Sequence, residues 1–150
     1  MRIFTLLLLS VLMAGMTSCG SVKEKKQQAA ERVNTVCPLV KKPYLSLPGV
    51  TITNIFCNPD DGSLAVNVSV KRAEGENPAS VQGYASDDKS GYVRSAVLGL
   101  LEQSEQGTEL LKVLADNDEG LDIRLAQGVT SISAFDIREA VKKKEEENRQ

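Results

Sequence analysis

Residues 64–70 alternate strictly between apolar and small or polar side chains, and this pattern constrains the fold more than any other feature of the sequence. The apolar members of the run are Leu64, Val66, Val68 and Val70. A period of two predicts a strand with one face in a core and the other face open. Such a face requires a second layer of structure to cover it.

The segment before this run predicts its partner strand. After a proline-rich passage, residues 50–57 are rich in β-branched side chains, which favour strands. Residues 58–62 have the sequence Asn-Pro-Asp-Asp-Gly, typical of a turn because proline fixes φ and glycine permits positive φ. The two runs therefore predict a β-hairpin.

Helical spacing appears after a long polar segment. Two helical stretches are separated by Gly107, and Thr108 is placed to cap the second of them. Alternation predicts a third strand at residues 121–125 and a fourth at 129–133. Ser133 stands at capping-box spacing before Asp136, which predicts the start of a last helix. The apolar residues of the first two helices are Val93, Ala96, Val97, Leu100, Leu101, Leu110, Leu111, Val113 and Leu114.

The order β-β-α-α-β-β-α predicts a single small α+β domain, with a four-stranded antiparallel sheet and helices on one face. We place this domain at residues 37–141. Residues 142–150 are highly charged, and their Lys-before-Glu pairs are in the less favourable order on a helix, so we expect a fraying C-terminal tail.

The N-terminal segment has the pattern of a signal peptide. Arg2 precedes an apolar run of about 14 residues, which is short of the roughly 20 that a membrane-spanning helix needs. Small residues follow the run and lead to Cys19. We therefore expect residues 1–18 to be removed, which leaves enough chain for one domain and too little for two.

The stretch Met16-Thr17-Ser18-Cys19 resembles the lipobox of bacterial lipoproteins, and its loosened form resembles those of Bacteroidetes. The resemblance implies that Cys19 carries acyl chains such as palmitate and becomes the new N-terminus. Gly20 stands where many inner-membrane lipoproteins have Asp, which implies the outer membrane. No acidic export signal follows, so the expected location is the periplasmic face of the cell envelope.

Residues 19–36 are then the lipidated cysteine and a tether. We expect a flexible coil here, and the alternative is a helix from Lys23 to Val36. The domain itself, over residues 37–141, resembles small lipoprotein domains of Bacteroidetes. The likeness lies in the Cys-Pro after the tether, the hairpin, the Leu-rich helical pair and the closing strand and helix. It brings no activity to this chain.

The cysteine count agrees with an oxidising compartment. Once Cys19 is lipidated, Cys37 and Cys57 remain as an even pair. We predict a disulfide between them, which would close about 20 residues and add roughly 3 kcal/mol to the free energy of unfolding. The alternative is two buried thiols that act as small hydrophobic side chains.

The composition excludes several kinds of site. The chain has no His, which excludes imidazole catalysis and the commonest zinc ligand. A pI near 5.3 argues against binding duplex nucleic acid. Asp116, Asp118 and Asp122 surround Gly120 and form a weak calcium candidate, because Ca²⁺ prefers oxygen ligands. The glycine is one place early for an EF-hand and no Glu closes the loop, so we prefer a solvated connection and expect no metal.

These observations favour a non-enzymatic, membrane-anchored module that binds another envelope component and holds no cofactor. Its expected partners are the lipid bilayer, through acylated Cys19, and an envelope protein. The alternative is a small-ligand carrier or an enzyme with a site near the long polar segment at residues 71–91. Tyr84, Asp87, Asp88 and Lys89 cluster there in the sequence.

Overall fold

The computed structural model describes residues 20–45, 47–72 and 87–150. In these residues the chain forms an α+β fold with four helices and a five-stranded mixed sheet. The helices are α1 (Val22–Asn34), α2 (Asp87–Glu102), α3 (Glu105–Asp116) and α4 (Ala134–Glu147). The strands are β1 (Leu39–Lys41), β2 (Gly49–Cys57), β3 (Leu64–Lys71), β4 (Leu121–Leu125) and β5 (Gly128–Ile132).

The predicted hairpin is confirmed. β2 and β3 pair antiparallel from Gly49 opposite Lys71 to Cys57 opposite Leu64. In the turn, the Asn58 side chain accepts the Asp60 N–H, and Asp61 accepts the N–H of Ser63 at 2.8 Å. Hydrogen bonds from Ser63 lower the pKa of the Asp61 carboxyl, since they stabilise its charged form.

The sheet differs from the prediction in two ways. It has five strands in the order β1-β2-β3-β4-β5, because residues 39–41 of the proline-rich passage pair with β2. It is also mixed, since β3 and β4 run parallel. The connection between them contains α2 and α3, which return the chain to the end of the sheet where β3 began. The prediction of four antiparallel strands was therefore wrong.

Helix α1 occupies most of the segment expected to be a coiled tether. Ser21 caps it by accepting the N–H of Glu24 at 3.2 Å. Ala29, Ala30 and Val33 are buried in the main core, so the helical alternative is the one observed. The folded unit begins before residue 37.

Two details of the helices also differ. Ser104, not Thr108, is the N-cap of α3, and its hydroxyl accepts the N–H of Gly107 at 2.9 Å. Gly107 lies inside this helix, and a Cβ at this position would overlap the carbonyl oxygen of Leu101. The glycine therefore marks a close approach of two helices and not the break between them.

The last helix begins as predicted and extends further. Ser133 is its N-cap and accepts the N–H of Asp136 at 3.1 Å. The helix continues to Glu147, past the boundary set at residue 141. Lys144 donates to the carbonyl oxygen of Glu102 and, at 2.7 Å, to the hydroxyl of Thr108, which ties this end to α2 and α3.

One face of the sheet is buried and the other is open. In β4, Leu121 and Ile123 are fully buried, whereas Asp122 and Arg124 between them are exposed. The buried face packs against the helices, as the burial of Leu110, Leu111 and Leu114 in the same core shows. The architecture is a two-layer α+β sandwich with a polar open face.

Candidate functional site

Several predicted site residues lie outside the described part of the chain. These are Cys19, the proposed lipidation site, and Tyr84 of the polar segment. The backbone of Asp87, Asp88 and Lys89 forms the first turn of α2, and their side chains are also outside the described part. The segment predicted as a loop over residues 71–91 therefore ends earlier, at the start of that helix.

Cys37 and Cys57 are both half-buried and both packed against the core. They are free thiols in this structure, and the disulfide between them stays a prediction. The Cys57 thiol lies 3.5 Å from the carbonyl oxygen of Gly62. Burial raises the pKa of the Cys37 thiol, and a backbone hydrogen bond at Leu39 partly offsets this effect.

The weak calcium candidate is not assembled. Asp118 forms an ion pair with Arg138, and its positive φ of 53° places it in the turn after α3. Asp122 is exposed on the open face of the sheet, in β4. Within the described ranges, no three acidic, cysteine or histidine side chains are close enough together to hold a metal ion.

The two ends of strand β2 lie at opposite ends of the domain, and the side chains around these ends differ in chemistry. At its C-terminal end is the hairpin turn, where the Lys23 side chain from the first turn of α1 donates to the carbonyl oxygen of Pro59. Lys26 is buried nearby and donates to Glu119 at 2.7 Å. We call this the anchor end, because α1 begins there three residues after Cys19, the residue that the sequence predicts to be lipidated. No helix among the described residues is long and apolar enough to span a membrane.

The opposite end of β2 carries a turn of unusual composition. We call the segment of Pro43, Tyr44, Leu45, Leu47 and Pro48 the apolar turn. Tyr44 and Leu47 exchange two backbone hydrogen bonds, of 3.0 and 2.9 Å. Their side chains are 71% and 45% exposed, and that of Leu45 is 79% exposed. Three adjoining large apolar side chains in solvent at one turn form a candidate contact surface.

Leu45 has a backbone conformation that leucine rarely adopts. Its φ is 52°, in the left-handed region, where a Cβ crowds the following carbonyl oxygen. A glycine at this position would relieve that crowding at once. The turn therefore holds a bulky apolar side chain in solvent at a cost to folding, which is the pattern of a functional constraint.

The base of the apolar turn is held by the domain. The Tyr92 hydroxyl of α2 donates to the carbonyl oxygen of Pro48 at 2.8 Å. The Lys41 ammonium lies 5.2 Å from the centre of the Tyr92 ring, a cation–π contact. A Cβ on Gly49 would lie 2.9 Å from the ring of Pro43, so the close approach at this base requires glycine. The turn is thus presented in a fixed position.

Basic side chains lie beside the apolar turn. Lys41 and Lys42 precede it directly, and Lys71 lies opposite Gly49 at the end of β3. All three are exposed. This end of the domain therefore combines an apolar projection with positive charge, which favours a partner surface that is apolar and rimmed by acidic groups.

A second candidate is a groove between α2 and α4, with a volume of about 720 Å³. Leu98 and Ile132 provide apolar lining, and Phe135 is 63% exposed beside them. Charged side chains of both signs complete the wall. Gly91, near the start of α2, also lines the groove. The charged lining residues are Arg94, Glu102, Asp136, Glu139 and Lys143.

Sequence reasoning missed the apolar turn. It treated residues 38–48 as a proline-rich connection and gave no role to Tyr44, Leu45 or Leu47. A usable signal was present, since three large apolar residues between two prolines belong to neither a helical nor a strand period. Their exposure depends on the packing of β1 and α2, which no local pattern specifies.

The chain was compared with family models, with curated proteins and with solved structures, and none of them matches it.

Proposed function

We propose that this protein is an outer-membrane lipoprotein of the cell envelope, anchored through acylated Cys19, whose domain binds another envelope protein through the apolar turn. The observation that carries this proposal is the position of Tyr44, Leu45 and Leu47, which are exposed at the end of β2 opposite the anchor end. The proposed role is interaction and not catalysis.

The distance between the two ends supports a partner away from the anchoring bilayer. β2 has nine residues, which span about 26 Å at the usual rise of a strand. α1 begins beside the hairpin turn, so the acyl chains on Cys19 would enter the membrane at that end. The apolar turn then points away from the lipid and towards proteins of the same compartment.

The fixed base of the turn supports binding by a preformed surface. Because Tyr92 and Gly49 hold the turn in place, little conformational freedom is lost when a partner covers it. When a partner buries them, aromatic and aliphatic side chains in such a position act as anchors of the interface. Lys42 and Lys71 beside them would increase the rate of association with an acidic partner, and added salt would reduce it.

The first experiment places a photo-crosslinking amino acid at position 45 in the full lipoprotein, in the cells that produce it. A matched control has the same group at Lys112, which is exposed on α3. We expect one discrete protein adduct from position 45 and none from position 112. The adduct should weaken in a Lys42→Glu, Lys71→Glu variant. Adducts with phospholipid alone would identify the bilayer as the ligand, and equal adducts from both positions would contradict the proposal.

A substitution in the turn separates binding from folding. Leu45→Gly removes the exposed side chain and relieves the positive φ, while glycine adds entropy to the unfolded chain. We expect the free energy of unfolding to stay unchanged or to rise by up to about 1 kcal/mol. Partner capture should fall at least tenfold, by the loss of an interface anchor. Leu45→Met should retain capture, and loss of capture in both variants would argue against an apolar contact.

The membrane anchor is tested separately. Cells given an alkyne-tagged palmitate should label the wild-type protein, and Cys19→Ala should abolish the label. In the lipobox resemblance, all of the acyl chains are carried by that residue. Equal labelling of the variant would show that the lipid is attached elsewhere or that the anchor is wrong.

The groove between α2 and α4 supports the alternative, a small-ligand carrier or enzyme. Its volume is within the range of known ligand sites, and it combines apolar lining with charges. Screening metals, glycans and lipids by thermal shift tests this alternative. A ligand that raises the melting temperature of the wild type but not of a groove-filling Ser95→Trp variant would favour it.

A further inference from the structure

Strand β5 forms one edge of the sheet. Among the described residues it pairs with β4 alone, in an unbroken register from Leu125 opposite Gly128 to Leu121 opposite Ile132. An edge strand directs half of its backbone N–H and C=O groups away from its partner, and these groups are a template for a further strand.

This edge lacks the features that normally block such pairing. Residues 127–133 have the sequence Gln-Gly-Val-Thr-Ser-Ile-Ser, with no charged residue and no proline. Register shifts are absent from its pairing with β4, whereas β2 has one. Charged side chains, prolines and bulges are the usual means of protecting an edge.

Exposed apolar side chains lie on both faces next to this edge. Val129 is 61% exposed on the open face of the sheet. On the helical face Phe135, two residues after the N-cap Ser133, is 63% exposed. A strand added to β5 would cover part of both.

We propose that a second copy of this chain binds here, with the two β5 strands antiparallel about a two-fold axis and the two sheets joined into one of ten strands. Centring the pair on Thr130 places Val129 opposite Ser131 of the second copy, and the reverse. The same uncharged residues of the two copies then contact each other, as an interface across a two-fold axis requires.

The charges on the open face agree with this arrangement. In β4, Arg124 lies beside Val129 and Asp122 lies beside Ser131. Across the two copies, each row of side chains then has Arg124 at one end and Asp122 of the second copy at the other. The opposite edge has no such property, since β1 would bring the exposed, positively charged Lys41 of each copy to the pairing edge with no acidic residue of β1 to balance it.

The size of the contact determines how strongly two copies of the chain are expected to associate. Five residues per strand with Val129 and Phe135 make an interface at the small end of the specific range, so the association in solution is weak. Two chains anchored in the same membrane have a much higher effective concentration, which favours pairing without further contacts. The dimer is therefore a property of the membrane-bound protein.

The test uses the full lipoprotein in its membrane. Thr130→Cys places two thiols on the two-fold axis, where opposite Cβ atoms are close enough to bridge. Mild oxidation should give a disulfide-linked dimer on a non-reducing gel, at least tenfold more than wild type or a Val40→Cys control on the β1 edge. No excess over these controls would overturn the proposal, and so would a crosslink to a different protein.

Charge variants test the register. In the Thr130→Cys background, Val129→Lys should reduce the dimer at least tenfold, whereas Val40→Lys on the other edge should leave it unchanged. Adding Ser131→Glu to Val129→Lys should restore the dimer, because each Lys would then face a Glu of the second copy. This pairing would be excluded if the Val129→Lys, Ser131→Glu variant had the melting temperature of the wild type but still did not form the crosslinked dimer.

This inference can fail without the proposed function failing. Crosslinking from position 45 detects the partner at the apolar turn, and we expect it to be the same in wild type and Val129→Lys. Loss of the position 45 adduct with the β5 dimer intact would contradict only the proposed function.

Discussion

The two edges of the sheet each carry a valine that is more than half exposed, but the chemistry around the two valines differs. Val40 of β1 is 54% exposed and Val129 of β5 is 61% exposed. β1 has three residues and is followed by Lys41, Lys42 and Pro43, so it is short, charged and closed by proline. β5 has five residues without charge. Exposure alone therefore does not identify a pairing edge, and the neighbouring residues decide it.

The same difference assigns separate tasks to the two edges. Because β1 is protected against strand addition, the side chains of the apolar turn that follows it are the accessible feature on this side. β5 projects no such turn, and its backbone is the accessible feature. In this interpretation the β1 side contacts a different protein through side chains and the β5 side contacts a second copy through the backbone.

The largest expected effect compares the contribution of each edge to the core. Ile132 of β5 is fully buried, so Ile132→Ala should lower the free energy of unfolding by about 3 kcal/mol. Leu39 of β1 is only half-buried, and Leu39→Ala should cost about 1 kcal/mol. Urea denaturation of both variants measures the difference. Equal losses would show that the two edges are embedded to the same depth.

A smaller effect concerns the base of the apolar turn. Gly49→Ala should cost about 2 kcal/mol, because its Cβ would press on Pro43 and on the carbonyl oxygen of Lys41. The control is Gly99→Ala in α2, where nothing lies within 4 Å of the new Cβ. That change should add about 0.5–1 kcal/mol through helix propensity. A harmless Gly49→Ala would mean that the turn is not fixed at its base.

The smallest effect concerns the thiol that precedes β1. Burial raises the pKa of Cys37, so the folded state holds its proton more tightly than the unfolded state. Its contribution to stability is complete below the unfolded pKa and is lost as the pH rises through the folded value. We expect slow alkylation of Cys37 at pH 8 in the folded protein, and fast alkylation in urea.

The same titration counts the thiols. The structure has Cys37 and Cys57 free, so unfolding without reductant should expose two thiols per chain. A count of zero would establish the disulfide predicted from the sequence. That bridge would fasten the segment before β1 to the far end of β2 and would make the β1 edge the more rigid of the two.

Local patterns predicted a large part of the fold. The alternation of Leu64 to Val70 and the turn at residues 58–62 gave the hairpin, and Ser133 gave the start of α4. Each of these depends on residues within a few positions of one another. The N-cap of α3 was misplaced because both Ser104 and Thr108 are residue types that cap helices, and it is Ser104 whose hydroxyl accepts the N–H of Gly107.

The candidate site was much less predictable. The exposure of Leu45 depends on how Tyr92 and Gly49 hold the turn, and Tyr92 is 44 residues from its acceptor in the sequence. The groove between α2 and α4 likewise depends on the packing of two distant helices. The sequence shows which side chains are present, but it does not show which of them lie next to one another in the fold.

The sequence by itself determined the period of the main strands and helices and the hairpin turn, because these are set by neighbouring residues, and it carries the pattern from which lipidation of Cys19 is predicted. Tertiary structure decided that β3 and β4 run parallel and that residues 39–41 add a fifth strand. It also decided that α1 packs into the core through Ala29, Ala30 and Val33 and that its Lys26 pairs with Glu119, 93 residues away. Such contacts require long loops to close around a shared core, and no local sequence pattern encodes the free energy of loop closure.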